Sequence, residues 1–299
     1  MLASACAHSQ PTPHTKTATL WIGGDVFLGT GGRGVLANIP SIVRGAPGIV
    51  NLEGPVGDGT SGGNPPRLTQ APAALAELRT SGIAAAGIAN NHAGDAGPDG
   101  MAATARALAS IGIQAAGGPA GAAVLELGGL RVAITAHDLA NGVPPHLRAD
   151  LEAARRRADV LVATFHVTGP PSYLPRPELI AAADIALAAG ATVVAAHGTH
   201  MLARVERRGR AIIAWGLGNL AFACACTDEE SGALLEVTLT PGGAGAASII
   251  PIDAGLGDAP AHAAADPQLT LELLRALGSS PLEDQSAHPG RLGAINLLP

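Results

Sequence analysis

The chain has 299 residues, of which 47% are apolar but only 2% aromatic, so Ala, Val, Leu and Ile must fill its interior. Its net charge of −6, with no basic stripe interleaved with aromatics, argues against a nucleic-acid partner. No apolar run reaches the ~20 residues that a membrane-spanning helix needs.

Residues 1–17 are expected to be a tether or the remnant of a lipoprotein signal. Small residues precede Cys6 as they precede a lipidated cysteine, although residues 1–5 carry neither the positive start nor the apolar stretch of such a signal. A lipid anchor at Cys6 would be the one link to a membrane and would put the protein outside the cytoplasm; a cytoplasmic location is the alternative. Cys224 and Cys226, two apart in an expected strand, read as two small buried residues.

From there the chain alternates. A strand over 18–23 runs into Gly24-Asp25, and a second over 48–52 runs into Glu53. A Gly/Pro-rich loop (56–66) and a helix (72–81) precede a buried strand over 82–88, which leads into Asn90-Asn91-His92. A helix over 99–111, with Met101, Leu108 and Ile111 near helical spacing, and a short strand over 113–116 come next. Gly128-Gly129 marks a hairpin between 124–127 and 130–135. Helix 147–157 feeds strand 160–165 and His166; helix 176–189 feeds strand 191–196 and His197-Gly198-Thr199-His200. A second hairpin turns at Arg208-Gly209 and continues through 211–215 to Gly216-Leu217-Gly218-Asn219, and strands over 233–239 and 247–252 close the pattern. This layout predicts an α/β domain over 18–252, followed by a 253–299 extension with one helical pattern at 269–277.

The informative feature is what stands at the strand ends. Asp25, Glu53, Asn91 with His92, His166, and His197 with His200 each follow a different apolar strand. In α/β sheets ligands bind beyond the carboxyl ends of the strands. Carboxylate, amide and imidazole donors without thiolate suit Zn, Mn or Fe. One or two divalent ions could be held, and two would clamp the attacking and leaving oxygens of an in-line displacement. Taken singly, each residue also has a plain reading as a turn, cap or satisfied core side chain; the set is what points to a site. His137 reads as structural or supporting, His146 as surface.

In these motifs the chain resembles the CapA family of bacterial capsule and poly-γ-glutamate biosynthesis proteins. The matching pieces, over about 19–222, are Gly24-Asp25-Val26-Phe27-Leu28-Gly29, Asn51-Leu52-Glu53-Gly54-Pro55-Val56, Ala89-Asn90-Asn91-His92 with Asp95 and Gly97, Phe165-His166, His197-Gly198-Thr199-His200 and Gly216-Leu217-Gly218-Asn219. The resemblance implies a four-layer α/β/β/α sandwich of metallophosphoesterase type. It implies Asp25, Glu53, Asn91, His166, His197 and His200 as metal ligands, His92 as the group that protonates the leaving oxygen, and Asp95 as the residue that orients it. Relative to wider phosphoesterases, Phe27 stands where a histidine is expected, Glu53 replaces an Asp, and the last histidines are three apart rather than two.

The expected function is a metal-dependent hydrolase acting on an anionic envelope polymer or a phosphoester precursor. The alternative is a non-catalytic metal-binding component of a polymer synthesis or export complex, partnered by membrane-bound proteins. A third reading is a cytosolic enzyme of secondary metabolism on the same scaffold.

Overall fold

The computed structural model describes residues 16–31, 33–57, 66–224, 226–284 and 293–298. Cys6 and most of the loop expected over 56–66 lie outside the described residues. The chain opens with β1 (Ala18–Phe27), α1 (Ile39–Val43) and β2 (Gly48–Leu52), then a 3₁₀ turn leading into α2 (Ala76–Thr80), β3 (Ile83–Gly87), α3 (Gly100–Ser110) and β4 (Gln114–Ala116). The hairpin β5 (Ala123–Leu127) and β6 (Leu130–Asp138) follows, then α4 (Leu147–Arg156), β7 (Val160–His166), α5 (Pro177–Ala188) and β8 (Val193–His197). A second hairpin, β9 (Val205–Arg208) and β10 (Ala211–Ala214), leads to β11 (Asn219–Phe222), β12 (Ser231–Thr240) and β13 (Gly243–Asp253). Beyond these come β14 (Gly255–Leu256), β15 (His262–Ala263), α6 (Pro267–Ala276), β16 (Leu282–Asp284) and β17 (Ile295–Leu297).

Two mixed sheets result. In one, the order is β16-β17-β13-β12-β1-β2-β3-β4, with β11 also pairing with β1; in the other it is β5-β6-β7-β8-β10-β9. β1, β2, β3 and β4 run parallel, as do β6, β7, β8 and β10, so their carboxyl ends gather at one edge of each sheet. Helical segments join these strands except β8 and β10, which are linked through β9.

Strand alternation sets the layers. Leu20, Ile22 and Ile49 of the first sheet meet Ile134, Val160, Val162, Val193 and Ala195 of the second in one buried cluster. The alternate residues point outward: Trp21 and Val50 pack with Leu75, Leu78 and Leu108 near α2 and α3. On the other sheet Leu161, Ala163 and Phe165 pack with Leu147, Leu151, Leu179 and Ala183 of α4 and α5. Strands covered on both faces read as continuous apolar runs, as β7 does.

Two stretches differ from the sequence reading. Cys224 and Cys226 lie beyond β11, not within a strand, and are joined as a disulfide, with Cys224 half-buried and Cys226 exposed. β11 stops at Phe222 because its partner there is Phe27, the last residue of β1. The stretch after Asp253 contributes more than one helix: besides α6, β15 and β17 each pair with β13 and extend the sheet. None of the helices among the described residues is long and apolar enough to cross a membrane.

Candidate metal centre

The same alternation delivers the polar residues. Counting by twos from Val160 and Val162 puts His166 on the inner face of β7; counting from Val193 and Ala195 puts His197 there on β8. The register pairs Asp138 with His166 and His166 with His197, so three polar groups stand in a row. On the other sheet Asn219, Asp25 and Asn51 form a second row. Strict alternation from Ile22 would turn Asp25 away from this face. An irregularity between Ile22 and Asp25 shifts the register by one residue and brings the carboxylate to the inner side.

Asp25 and Glu53 are 0% and 1% exposed, and no Lys or Arg among the described residues pairs with either. One oxygen of Asp25 accepts from Asn51 Nδ2 at 2.8 Å and the other from the Gly198 amide at 2.9 Å. Gln70, fully buried, donates to the Glu53 carbonyl and accepts from the Leu28 and Gly29 amides, tying the two strand exits together. His166 Nε2 lies 3.0 Å from Glu53 Oε1. Burial alone would raise the Glu53 pKa, but the hydrogen bond and charge of His166, with the charges of His200 and His92, hold it below its usual range. Burial would lower that of His166; Asp138, Glu53 and Asp25 instead push it up to about 10. Asp138 Oδ1, at 3.9 Å from Nδ1, acts by charge, since that distance is too long for a hydrogen bond.

His197 is the opposite case. Its pKa falls to about 4 because burial and the neighbouring His166 charge outweigh Asp25. With a neutral ring, its 3.7 Å approach to Asp25 is not an ion pair. Both ring nitrogens are buried without a hydrogen-bond partner, as is Nδ1 of His166. His200 adopts a left-handed backbone (φ 54), a conformation costly for a side chain and concentrated at functional positions. Burial lowers its pKa, but Asp25, Glu53 and the Asn219 hydrogen bond raise it overall. Asn219 donates through Nδ2 to the Glu229 carbonyl, so its oxygen faces His200 Nδ1 at 2.8 Å and must accept. That leaves Nε2 as the atom of His200 able to offer a lone pair.

The loop after β3 carries the remaining residues. His92 Nδ1 lies 2.8 Å from Asp95 Oδ2, and that oxygen also accepts from the Leu68 amide at 2.7 Å. Asp95 is therefore fixed from two sides, while the His92 side chain is 17% exposed. Of the two amides, Asn90 is buried and Asn91 is exposed. His137 lies on the outer face of β6, its ring 6.0 Å from that of Phe165; His146 is exposed and 3.6 Å from Asp150.

Donor atoms of Asp25, Glu53 and His166 lie within 4.8 Å of one another, all buried. Two buried carboxylates with only imidazoles for compensation, beside imidazole nitrogens lacking partners, fit a divalent cation of borderline or hard character. The contacts of Asn51, Gln70, Asp138 and Asn219 were not assigned from sequence. Alternation from Ile134 places Asp138 on the face of His166, and Gly23-Gly24 inside the strand pattern is the local signal for the register shift at Asp25.

Residues 19–223 match the family model described as bacterial capsule synthesis protein PGA_cap, about two-thirds of the chain. No curated protein matches.

Proposed function

This chain belongs to the family of bacterial capsule synthesis proteins, and from that premise we propose that it is a metal-dependent hydrolase of the phosphoesterase kind, acting on an anionic cell-envelope polymer or its precursor. The observation that supports this reading is the buried Asp25–Glu53–His166 cluster beside the His92–Asp95 pair.

Asp25, Glu53, His166, His197 and His200 would hold one or two ions of Mn, Zn or Fe, with Asn91 as the amide donor. Such an ion supplies Lewis-acid stabilisation of the negative charge that develops on phosphoryl oxygens. His92 stays off the metal because an acid must keep a proton to give. Its Nδ1 faces Asp95, which fixes the ring; with both ring nitrogens protonated, the Nε2–H is the proton available to the leaving oxygen. Gln70 holds the Glu53 backbone in place, and the Asp138 carboxylate faces His166 Nδ1.

A polymer substrate of the envelope calls for an extracytoplasmic protein, lipid-anchored at Cys6 and working beside membrane-bound synthesis or export proteins. The test is hydrolysis of model phosphomonoesters, phosphodiesters and γ-glutamyl peptides by protein reloaded with Mn²⁺ or Zn²⁺. Metal-dependent turnover of a phosphoester supports the reading; bound metal with no turnover of any of them favours the non-catalytic alternative.

A further inference from the structure

Asp25 sits at the end of a chain of side-chain amides that begins at His92. The His92 backbone N–H donates to Asn90 Oδ1 at 3.2 Å. Asn90 Nδ2 donates to Asn51 Oδ1 at 3.2 Å and to the Leu52 carbonyl at 2.9 Å. Asn51 Nδ2 then donates to Asp25 Oδ1 at 2.8 Å. Asn51 and Asn90 are each 3% exposed, so water cannot replace these bonds cheaply.

The chain has only one sense. Turning the Asn51 amide over would set its oxygen against the Asp25 carboxylate and its NH₂ against that of Asn90. Turning Asn90 over would face its NH₂ to the His92 N–H and leave the Leu52 carbonyl without its donor. Each amide thus fixes the next, and the row ends on a carboxylate that also accepts from the second sheet through Gly198. Beside Asn51 in the register stands Gly87, which has no side chain.

Resting on the metal-site reading above, we propose that Asn51 and Asn90 are positioning residues that hold the ligand Asp25 and the proton-donor loop of His92 in one arrangement. Asn90 touches no carboxylate of the site; it acts on Asp25 through Asn51. The pair joins the metal half of the site to the acid half, two parts that come from different strand exits.

Two measurements test this without substrate. The first is Mn²⁺ and Zn²⁺ affinity by calorimetry for wild type, Asn90→Ala, Asn51→Leu and the double variant, with metal-free melting recorded to establish folding. Asn51→Leu, which removes a direct partner of the ligand Asp25, is expected to weaken affinity by about tenfold, and Asn90→Ala, one step further back, by a smaller but measurable factor. The double variant is expected to be no weaker than Asn51→Leu alone, because the two act in series. The second is hydrogen exchange over residues 90–95 in metal-free protein. Asn51→Leu, one residue removed from the His92 amide's acceptor, should speed exchange there.

Losses that add in the double variant, or an Asn90→Ala protein with unchanged metal affinity, would overturn the proposal. So would unchanged exchange at 90–95 in Asn51→Leu. If wild type binds neither metal, the metal reading itself fails, and the exchange measurement still decides whether the amides couple the two strand exits.

Discussion

Glu53 and His166 meet at 3.0 Å across the seam between the two sheets, one following β2 and the other ending β7. In metal-free protein this contact has a pH signature. Glu53 titrates below its ordinary 4.5, so its share of stability is complete above that value and declines as the pH falls. His166 is raised from 6.5 to about 10, so its share is complete below 6.5 and is lost progressively as the pH climbs through 10. Urea unfolding of chelator-treated protein should therefore show the pair's contribution fully present between 4.5 and 6.5. Replacing Glu53 by Gln should flatten the alkaline decline; a decline of unchanged slope would contradict this assignment.

Metal uptake should run the other way. An imidazole must lose its proton before it can offer a lone pair, and His166 keeps its proton up to about pH 10 in the metal-free state. Affinity is expected to rise about tenfold per pH unit across the neutral range for the His166 proton displaced, and more steeply where His200, whose pKa is also raised, is still protonated. His197, already neutral at a pKa of about 4, adds nothing to that slope. Calorimetry in buffers of different ionisation heat counts the released protons, and a count of zero at pH 7 would contradict the state given to His166.

Gly198 has a left-handed backbone at φ +83, and a Cβ there would meet the His166 ring at 2.6 Å and the Val167 carbonyl at 2.3 Å. Its amide also holds Asp25. Gly198→Ala should cost about 1–3 kcal/mol from backbone strain and weaken metal binding as well by pushing His166 aside. Chemical denaturation and metal titration of the same sample check both effects. An alanine variant with full metal affinity would show that the loop has room to move.

Much of this arrangement could be read from the sequence because strand periodicity is local. The apolar runs ending at Phe165 and Ala196 put His166 and His197 at strand exits, and the two-residue period puts them on one face. What could not be read depends on contacts between distant segments. The register shift that turns Asp25 inward is permitted by Gly23-Gly24, but its extent is set by pairing with β2. Which of Asn90 and Asn91 is buried depends on Asn51, 39 residues away from Asn90. Cys224 and Cys226 looked like a strand because the end of β11 is dictated by Phe27, about two hundred residues earlier in the chain.

The central claim is that this site turns over a phosphoester, with His92 supplying the proton. The most direct measurement compares wild type and His92→Ala, each loaded with the same metal to the same measured content, on one activated phosphoester and one with a poor leaving group. His92→Ala should retain its metal and lose about 10²–10⁴-fold in turnover, with the larger loss on the poor leaving group, which depends most on protonation. Equal turnover by both proteins, or none by fully loaded wild type, would contradict the claim.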